Sequence, residues 1–235
     1  MPRPGAFLED WDLLVDHVML RKYGLGDGSG REMQVKLTVC DSGGEAGATT
    51  QAYNFVRRLR YDTDRPELRQ LSARFHLLKG NSTPGAPRAY IAFPDSKDKK
   101  AAARGDVPVL MLHSNILKDA LNNRLLCTDP GKGMLRFPKW LHDRVWTELC
   151  EEFRDSKGWQ NPNNRRNEAW DLSYYAIGAC VSSLLRLEVV DWSDPPDWCR
   201  PWAENPLVLE SGANRRFEAE DEQMYDFSKL GMALG

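Results

Sequence analysis

The stretch MQVKLTVCDSGGEAGATTQAYNFVRRLR, from Met33 to Arg60, carries three local patterns in succession. Met33, Val35, Leu37 and Val39 alternate with Gln34, Lys36 and Thr38 at period two, which predicts one strand ending on Cys40 and Asp41. Gly43, Gly44 and Gly47 predict a turn. From about Ala48 to Arg60 the spacing changes to that of a helix, with Tyr53, Phe55, Val56 and Leu59 inward and Arg57, Arg58 and Arg60 on exposed sides. A short apolar run, Phe75 to Gly80, follows and reads as a buried parallel strand. Strand, helix, strand is a right-handed crossover unit, so the expected fold class is α/β.

Working outward, Phe7, Leu8, Trp11, Leu14, Val15, Val18 and Met19 recur at three- and four-residue steps and predict an N-terminal amphipathic helix, ended by Tyr23-Gly24 and the glycines from Gly26 to Gly30. Asn81 to Asp106 reads as a long excursion with one strand at Tyr90 to Phe93 and a charged run from Asp95 to Arg104. Val107 to Leu112 returns to strand character. Asn115 to Leu126 reads as a helix with Asn115 as its N-cap and Ile116, Leu117, Leu121 and Leu125 inward. A short strand is expected at Met134 to Phe137, a helix from Trp140 to Phe153, a polar loop from Arg154 to Arg166, and a last long helix from about Asn167 to Val190. The expected organisation is one domain over residues 1–190 and an irregular, acidic tail over 191–235.

The composition excludes several classes. Lys+Arg 32 against Asp+Glu 34 leaves a net charge of -2, so contacts to nucleic acid have to be local. Five scattered cysteines, never in CxxC spacing, argue against a disulfide framework or a zinc site and fit a reducing cytoplasm. His17, His76, His113 and His142 show no HxH or HExxH spacing. The longest apolar stretch, Tyr174 to Val190, is interrupted by Ser182, Ser183, Arg186 and Glu188 and reads as a buried helix, not a membrane span. The tryptophans Trp140, Trp146, Trp159, Trp192, Trp198 and Trp202 are expected to pack in the core and the tail.

Two acids stand where chemistry is usually placed. Asp41 closes a strand before a glycine turn, the edge at which open α/β sheets hold ligands. It is either a ligand for a hard cation or a turn-initiating aspartate that bonds its own backbone two residues on. Asp171 lies in the first turn of the last helix, beside a stripe of Trp170, Tyr174, Ile177, Val181 and Leu184. It either complements the helix dipole or, close to a packed face, needs a partner that a metal would provide. Lys79, Arg165 and Arg166 are either phosphate contacts or solvated cations. The run from Lys97 to Arg104 is either a DNA-tracking loop or a solvated one.

The order Val39-Cys40-Asp41-Ser42-Gly43-Gly44, a helix with Tyr53 and Phe55, Leu78-Lys79-Gly80, and RRNEAWDLSYYAIGA from Arg165 to Ala179 resembles the nuclease domain of the lambda-like phage terminase large subunit family. The resemblance spans roughly Trp11 to Leu187 and implies an RNase H-like mixed sheet flanked by helices. It implies a two-metal site, Mg²⁺ or Mn²⁺, hydrolysing phosphodiester bonds of concatemeric double-stranded DNA. Asp41 and Asp171 would be catalytic, metal-binding carboxylates, with Glu45 and Glu168 as supplementary ligands and Lys79, Arg165 and Arg166 on DNA. Implied partners are the terminase small subunit and the portal, and the implied location is the host cytoplasm, with no membrane. The chain departs from the family in two ways: the first strands of the domain, with the first catalytic aspartate, are expected to be missing, and no GxxxxGK[ST] phosphate loop of an ATPase is present. A truncated, catalytically inactive fragment that binds DNA or packaging proteins is therefore the alternative expectation.

Overall fold

In the computed structural model, which describes residues 2–44, 46–94, 105–131 and 133–210, the chain divides into two units. The first comprises Met1–Leu77, Phe93–Pro108 and Val189–Gly235, the second Leu78–Ala92 and Val109–Glu188. The charged run from Asp95 to Arg104, Glu45, and the acidic part of the tail beyond Glu210 lie outside the described residues.

The N-terminal repeat of the first unit is helical as its spacing predicts, but composite. A 3₁₀ turn at Glu9–Trp11 leads into α1 (Asp12–Leu14) and then a π-helical stretch at Val15–Met19. Trp11, Leu14, Val15 and Met19 are buried. Trp11 stacks on Phe55 with ring centroids 5.4 Å apart, and Phe55 meets the Phe75 ring edge-on at 5.2 Å. Aromatic pairs at these separations add attraction beyond the area they remove from water. Phe55 belongs to α2 (Ala48–Tyr61), whose Ala48, Ala52, Phe55, Val56 and Leu59 form its buried face. The arginines expected on exposed sides of this helix are half-buried and bonded instead. Arg57 pairs with Asp106 at 2.9 Å, Arg60 donates to the Asp106 carbonyl at 2.7 Å, and Arg58 pairs with Asp12. A short α3 (Glu67–Ser72), not foreseen, buries Leu68 and Leu71.

The single strand expected from Met33 to Asp41 is two strands. β1 (Lys22–Gly24) pairs antiparallel with β2 (Glu32–Gln34), which also pairs with β9 (Val208–Leu209) in a three-stranded sheet. β3 (Thr38–Asp41) turns to a different partner, and its Thr38 N–H donates to the Arg74 carbonyl at 2.7 Å. Every residue from Met33 to Cys40 is half-buried, so the period-two alternation does not sort into a wet and a dry face. Backbone pairing to two different sheets decided the break.

The main sheet has four strands in the order β3-β4-β6-β5. These include β4 (Phe75–Asn81), β5 (Ala89–Ala92) and β6 (Val109–His113), the last two antiparallel. Phe75, Leu77, Leu78, Val109, Leu110 and Leu112 are buried, as the apolar runs predict, while Lys79 is exposed. The architecture is a mixed sheet flanked by helices, compatible with an RNase H-like nuclease fold.

In the second unit α4 (Ser114–Leu125) follows β6 directly. Its N-cap is His113, whose ring accepts the Ile116 N–H; Asn115 instead accepts the Trp159 N–H at 3.0 Å, and Ile116 is exposed, not inward. No strand forms at residues 134–137. The helix expected from Trp140 to Phe153 contracts to α5 (Asp143–Leu149), capped by the His142 ring. The expected polar loop begins as a hairpin of β7 (Phe153–Asp155) and β8 (Gly158–Gln160). Gly158 makes it tight: its φ is +114° and a Cβ there would meet the Asn115 side chain at 2.5 Å.

The last helix, α6 (Glu168–Val181), packs against α4 and α5. It ends well short of Val190, where Ser182 leaves helical geometry with ψ 172° and turns its hydroxyl back to the Ala179 carbonyl at 2.8 Å. Its buried residues are Trp170, Tyr174, Gly178 and Ala179, so the packed stripe runs through a glycine instead of Ile177. Of the tryptophans expected to pack, Trp159 lies against Trp170 at 4.8 Å, but Trp140 is 83% exposed and Trp192 65%. No helix among the described residues is long and apolar enough to cross a membrane.

Candidate active site

In the first unit Asp41 is the last residue of β3 and is exposed. Its Oδ1 accepts the Gly43 N–H at 2.7 Å, the bond of a turn-initiating aspartate. The turn is fastened from the other side by Thr49, whose hydroxyl donates to the Ser42 carbonyl at 2.7 Å, and Ser42 is buried. Gly47, at φ +92°, has no room for a Cβ, which would come within 2.4 Å of the Gly5 carbonyl oxygen. The glycines of the motif therefore set where the strand stops and how Asp41 is presented. Burial, and then the Asp41 charge beside it, pushes the Cys40 thiol up to about 12.

In the second unit Asp171 sits in the first turn of α6. The partner that a carboxylate beside a packed face requires is a lysine: Lys118 Nζ lies 2.9 Å from Asp171 Oδ1. The same ammonium lies 2.7 and 2.9 Å from the two carboxylate oxygens of Glu152. Asn167 ties the two acids together, its Nδ2 donating to Glu152 Oε1 at 2.6 Å and to Asp171 Oδ2 at 3.3 Å. Trp170 Nε1 donates to Glu152 Oε2 at 3.1 Å. Lys118 also stands 5.0 Å from the centre of the Tyr174 ring, within cation–π range. The side chains of Glu152 and Lys118 are 5% and 11% exposed, against 29% for Asp171. A solvent-facing aspartate is thus backed by an almost dry carboxylate and an almost dry ammonium.

Gly80 carries no side chain at a place where one would collide. A Cβ there would lie 2.9 Å from the Ser114 hydroxyl and 3.2 Å from the Tyr174 hydroxyl. The Leu78-Lys79-Gly80 signature therefore combines an exposed cation at Lys79 with a close approach at Gly80.

Arg165 and Arg166 differ more than their adjacency suggests. Arg166 Nε bonds Glu148 Oε1 at 2.8 Å, and Glu148 Oε2 accepts the Ala169 N–H at 2.9 Å, so this pair closes the N-terminus of α6. Arg165 has its backbone held in both directions by Asn161, at 3.0 and 2.6 Å, while its side chain is 64% exposed and reaches Glu151 at 3.4 Å. Glu168 is half-buried at the first position of α6, and Glu45 lies outside the described residues.

Sequence reasoning missed Lys118, Glu148 and Glu152. Only a partial signal existed: Lys118 lies between the inward residues Leu117 and Leu121, while Glu148 and Glu152 are four apart in a segment that also carries Glu151. Buried charges of opposite sign in elements expected to pack are candidates for each other.

A Mg²⁺ or Mn²⁺ ion takes about six oxygen ligands. Among the described residues no three Asp, Glu, His or Cys side chains gather as a metal site. In the second unit the Asp171 and Glu152 carboxylates already share an ammonium. That donor set, arranged as it is, does not fit a divalent ion.

The comparisons add one match. The family model described as terminase large subunit gpA, endonuclease domain, matches residues 5–192, most of the chain and all of the elements from the N-terminal helical stretch to α6. No curated protein and no solved structure gives a significant match. With a mixed sheet flanked by helices and a family match spanning both Asp41 and Asp171, the chain belongs to the terminase large subunit gpA endonuclease-domain family.

Proposed function

We propose that this domain cuts concatemeric double-stranded DNA by phosphodiester hydrolysis that depends on Mg²⁺ or Mn²⁺, with Asp41 and Asp171 as its essential acids. The observation that carries the reading is the family match over residues 5–192, which includes both. A divalent ion held by these acids would supply Lewis-acid chemistry to the phosphate and the attacking water. What this chain's own side chains contribute is recognition and placement. Arg165, with its backbone pinned and its guanidinium largely exposed, presents a fork suited to phosphate oxygens, and exposed Lys79 adds a point charge at a strand end. Glu45 and Glu168 are supplementary ligands in this reading. The terminase small subunit and the portal are its partners, and the host cytoplasm is where it works.

The test is plasmid nicking by purified protein with Mn²⁺, Mg²⁺ or EDTA. The expected result is metal-dependent nicking, lost in Asp41→Asn and in Asp171→Asn while the circular dichroism spectra stay those of the parent. Nicking that survives both substitutions removes these residues from the reaction.

A second reading has its own observation: Asp41 is engaged in its turn and Asp171 in an ion pair with Lys118. On that reading the domain is an inactive nuclease fold that binds DNA or packaging proteins. Retained DNA binding in a gel shift, with no nicking at any Mn²⁺ concentration, selects it.

A further inference from the structure

Trp140 is 83% exposed, more than any other large apolar side chain among the described residues. The backbone beneath it is tied down. The Leu141 N–H donates to the Pro138 carbonyl at 3.2 Å, closing a turn with Lys139 and Trp140 at its two central positions. Phe137, just before the turn, sets its ring edge-on against Trp146 of α5 with centroids 4.9 Å apart, and Leu141, at its end, is half-buried. The His142 ring then accepts the Arg144 N–H at 3.1 Å as α5 begins. The turn is thus anchored beside α5, within the second unit, and its tip carries an indole ring out to solvent.

The charge beside the ring has one sign. Residues 134–142 include Arg136 and Lys139 and no acid, in a chain whose net charge is -2. Both cations are exposed, and neither joins an ion pair among the described residues. In this they differ from Arg154 and Arg166 of the same unit, which are matched by Asp119 and Glu148. An aromatic face at a turn tip among cations suits a ligand that is both flat and anionic. An unpaired nucleotide is such a ligand: its base stacks on the ring while phosphates meet the cations. In a duplex each base is already covered by its neighbours, so an intact helix offers the indole no free face along its length. A protein surface could supply an apolar pocket for the ring, but it gives no reason for two unmatched cations beside it.

We propose that the turn at residues 138–141, together with Arg136, is a binding site for single-stranded DNA, in which an unpaired base stacks on Trp140 and neighbouring phosphates meet Lys139 and Arg136. This rests on DNA being what the domain acts on in the proposed function, but not on metal or on cleavage.

The experiment follows, by fluorescence anisotropy, the binding of a labelled oligothymidylate and of the blunt duplex it forms with its complement. The proteins are the whole parent chain, Trp140→Ala, Trp140→Phe and Trp192→Ala. The expected result is that Trp140→Ala weakens single-strand binding about tenfold and duplex binding by less than about twofold, while Trp140→Phe, which keeps a stacking face, recovers most of the loss. Trp192→Ala removes a ring that is 65% exposed in the other unit and should leave both affinities unchanged. Arg136→Gln combined with Lys139→Gln should lower the single-strand salt slope by roughly 0.7 for each cation. Because the ring is so exposed, the urea midpoint of Trp140→Ala should match the parent's.

Single-strand binding that Trp140→Ala leaves intact overturns the proposal and points the ring to a protein partner instead. An equal loss on single strand and duplex also overturns it, since the turn would then be a general backbone contact. Either result leaves plasmid nicking, measured on the same proteins, to decide the proposed function. A parent that binds neither DNA and does not nick sinks both readings.

Discussion

Asp171 faces two environments at once, with one edge toward solvent and the other against Lys118. Asp41 differs. One oxygen starts the Ser42-Gly43 turn, and the neighbouring Cys40 thiol is pushed up to about 12 by burial and by the aspartate's charge. Cys40 should therefore stay unmodified by iodoacetamide at pH 8 in the folded chain, while exposed Cys150 is alkylated first. Peptide mass spectrometry after a timed quench reads this directly, and comparable labelling of the two would contradict the shielding of the Cys40 thiol. His76, half-buried in β4, supplies a pH effect of known sign. Burial, and secondarily the Arg60 charge, lowers its pKa below the ordinary 6.5. Below 6.5 the unfolded chain binds a proton that the folded chain resists, so stability is fully present above that pH and is lost progressively as pH falls beneath it. Urea unfolding at pH 7.5 and 5.5 should show this loss, and His76→Asn should shrink it. An unchanged difference in the variant would assign the acid sensitivity elsewhere.

At the scale of elements, α6 shows how tightly the site is framed. A Cβ on Gly178 would lie 2.6 Å from Leu112 Cδ2 and 3.1 Å from Leu117 Cδ1, and both leucines are fully buried. Alanine gains about 1 kcal/mol over glycine inside a helix, but forcing a methyl into a full core costs about 1–3 kcal/mol. The closeness of the contact favours the second effect. Gly178→Ala should lower the urea midpoint, and a higher midpoint would mean that the two leucines yield. The same helix marks the limit of what the sequence discloses. Its start was readable from the polar Asn-rich approach and the apolar run that follows, α2 and α4 were readable from helical spacing, and β4 from a short apolar run. Its end was not, because Leu184, Leu187 and Val189 continue an apolar pattern that Ser182 interrupts by a local side-chain bond. The split of β2 from β3 was hidden for a similar reason: alternation specifies a strand but not which sheet it joins. The positions of Asp41 and Asp171 at element ends, one in each unit, were legible in the sequence. Glu152 and Lys118 were not, since their meaning lies in each other, and they belong to segments more than thirty residues apart.

For the whole molecule the governing number is the net charge of -2. On the proposed function, a chain of this charge gains nothing from long-range attraction to DNA and depends on a few placed cations. Several of its arginines are already committed: Arg57 and Arg60 to Asp106, Arg58 to Asp12, Arg166 to Glu148 and Arg154 to Asp119. The proposed function relies on exposed Lys79 and on Arg165, which is 64% exposed and reaches Glu151 at 3.4 Å, as phosphate contacts. Each phosphate neutralised releases counterions and adds roughly 0.9 to the slope of log affinity against log salt. Binding of a short duplex, followed by fluorescence anisotropy between low and moderate salt, should therefore give a shallow slope. Arg165→Ala should reduce that slope by about 1 and weaken binding to unrelated sequences alike, because a phosphate contact carries no base information. Arg166→Ala should act differently. Glu148 would lose its partner at the α6 terminus, so the effect should appear as a lower urea midpoint more than as a changed salt slope. If the two substitutions shift the salt slope equally, the division between a DNA-facing Arg165 and a structural Arg166 is wrong.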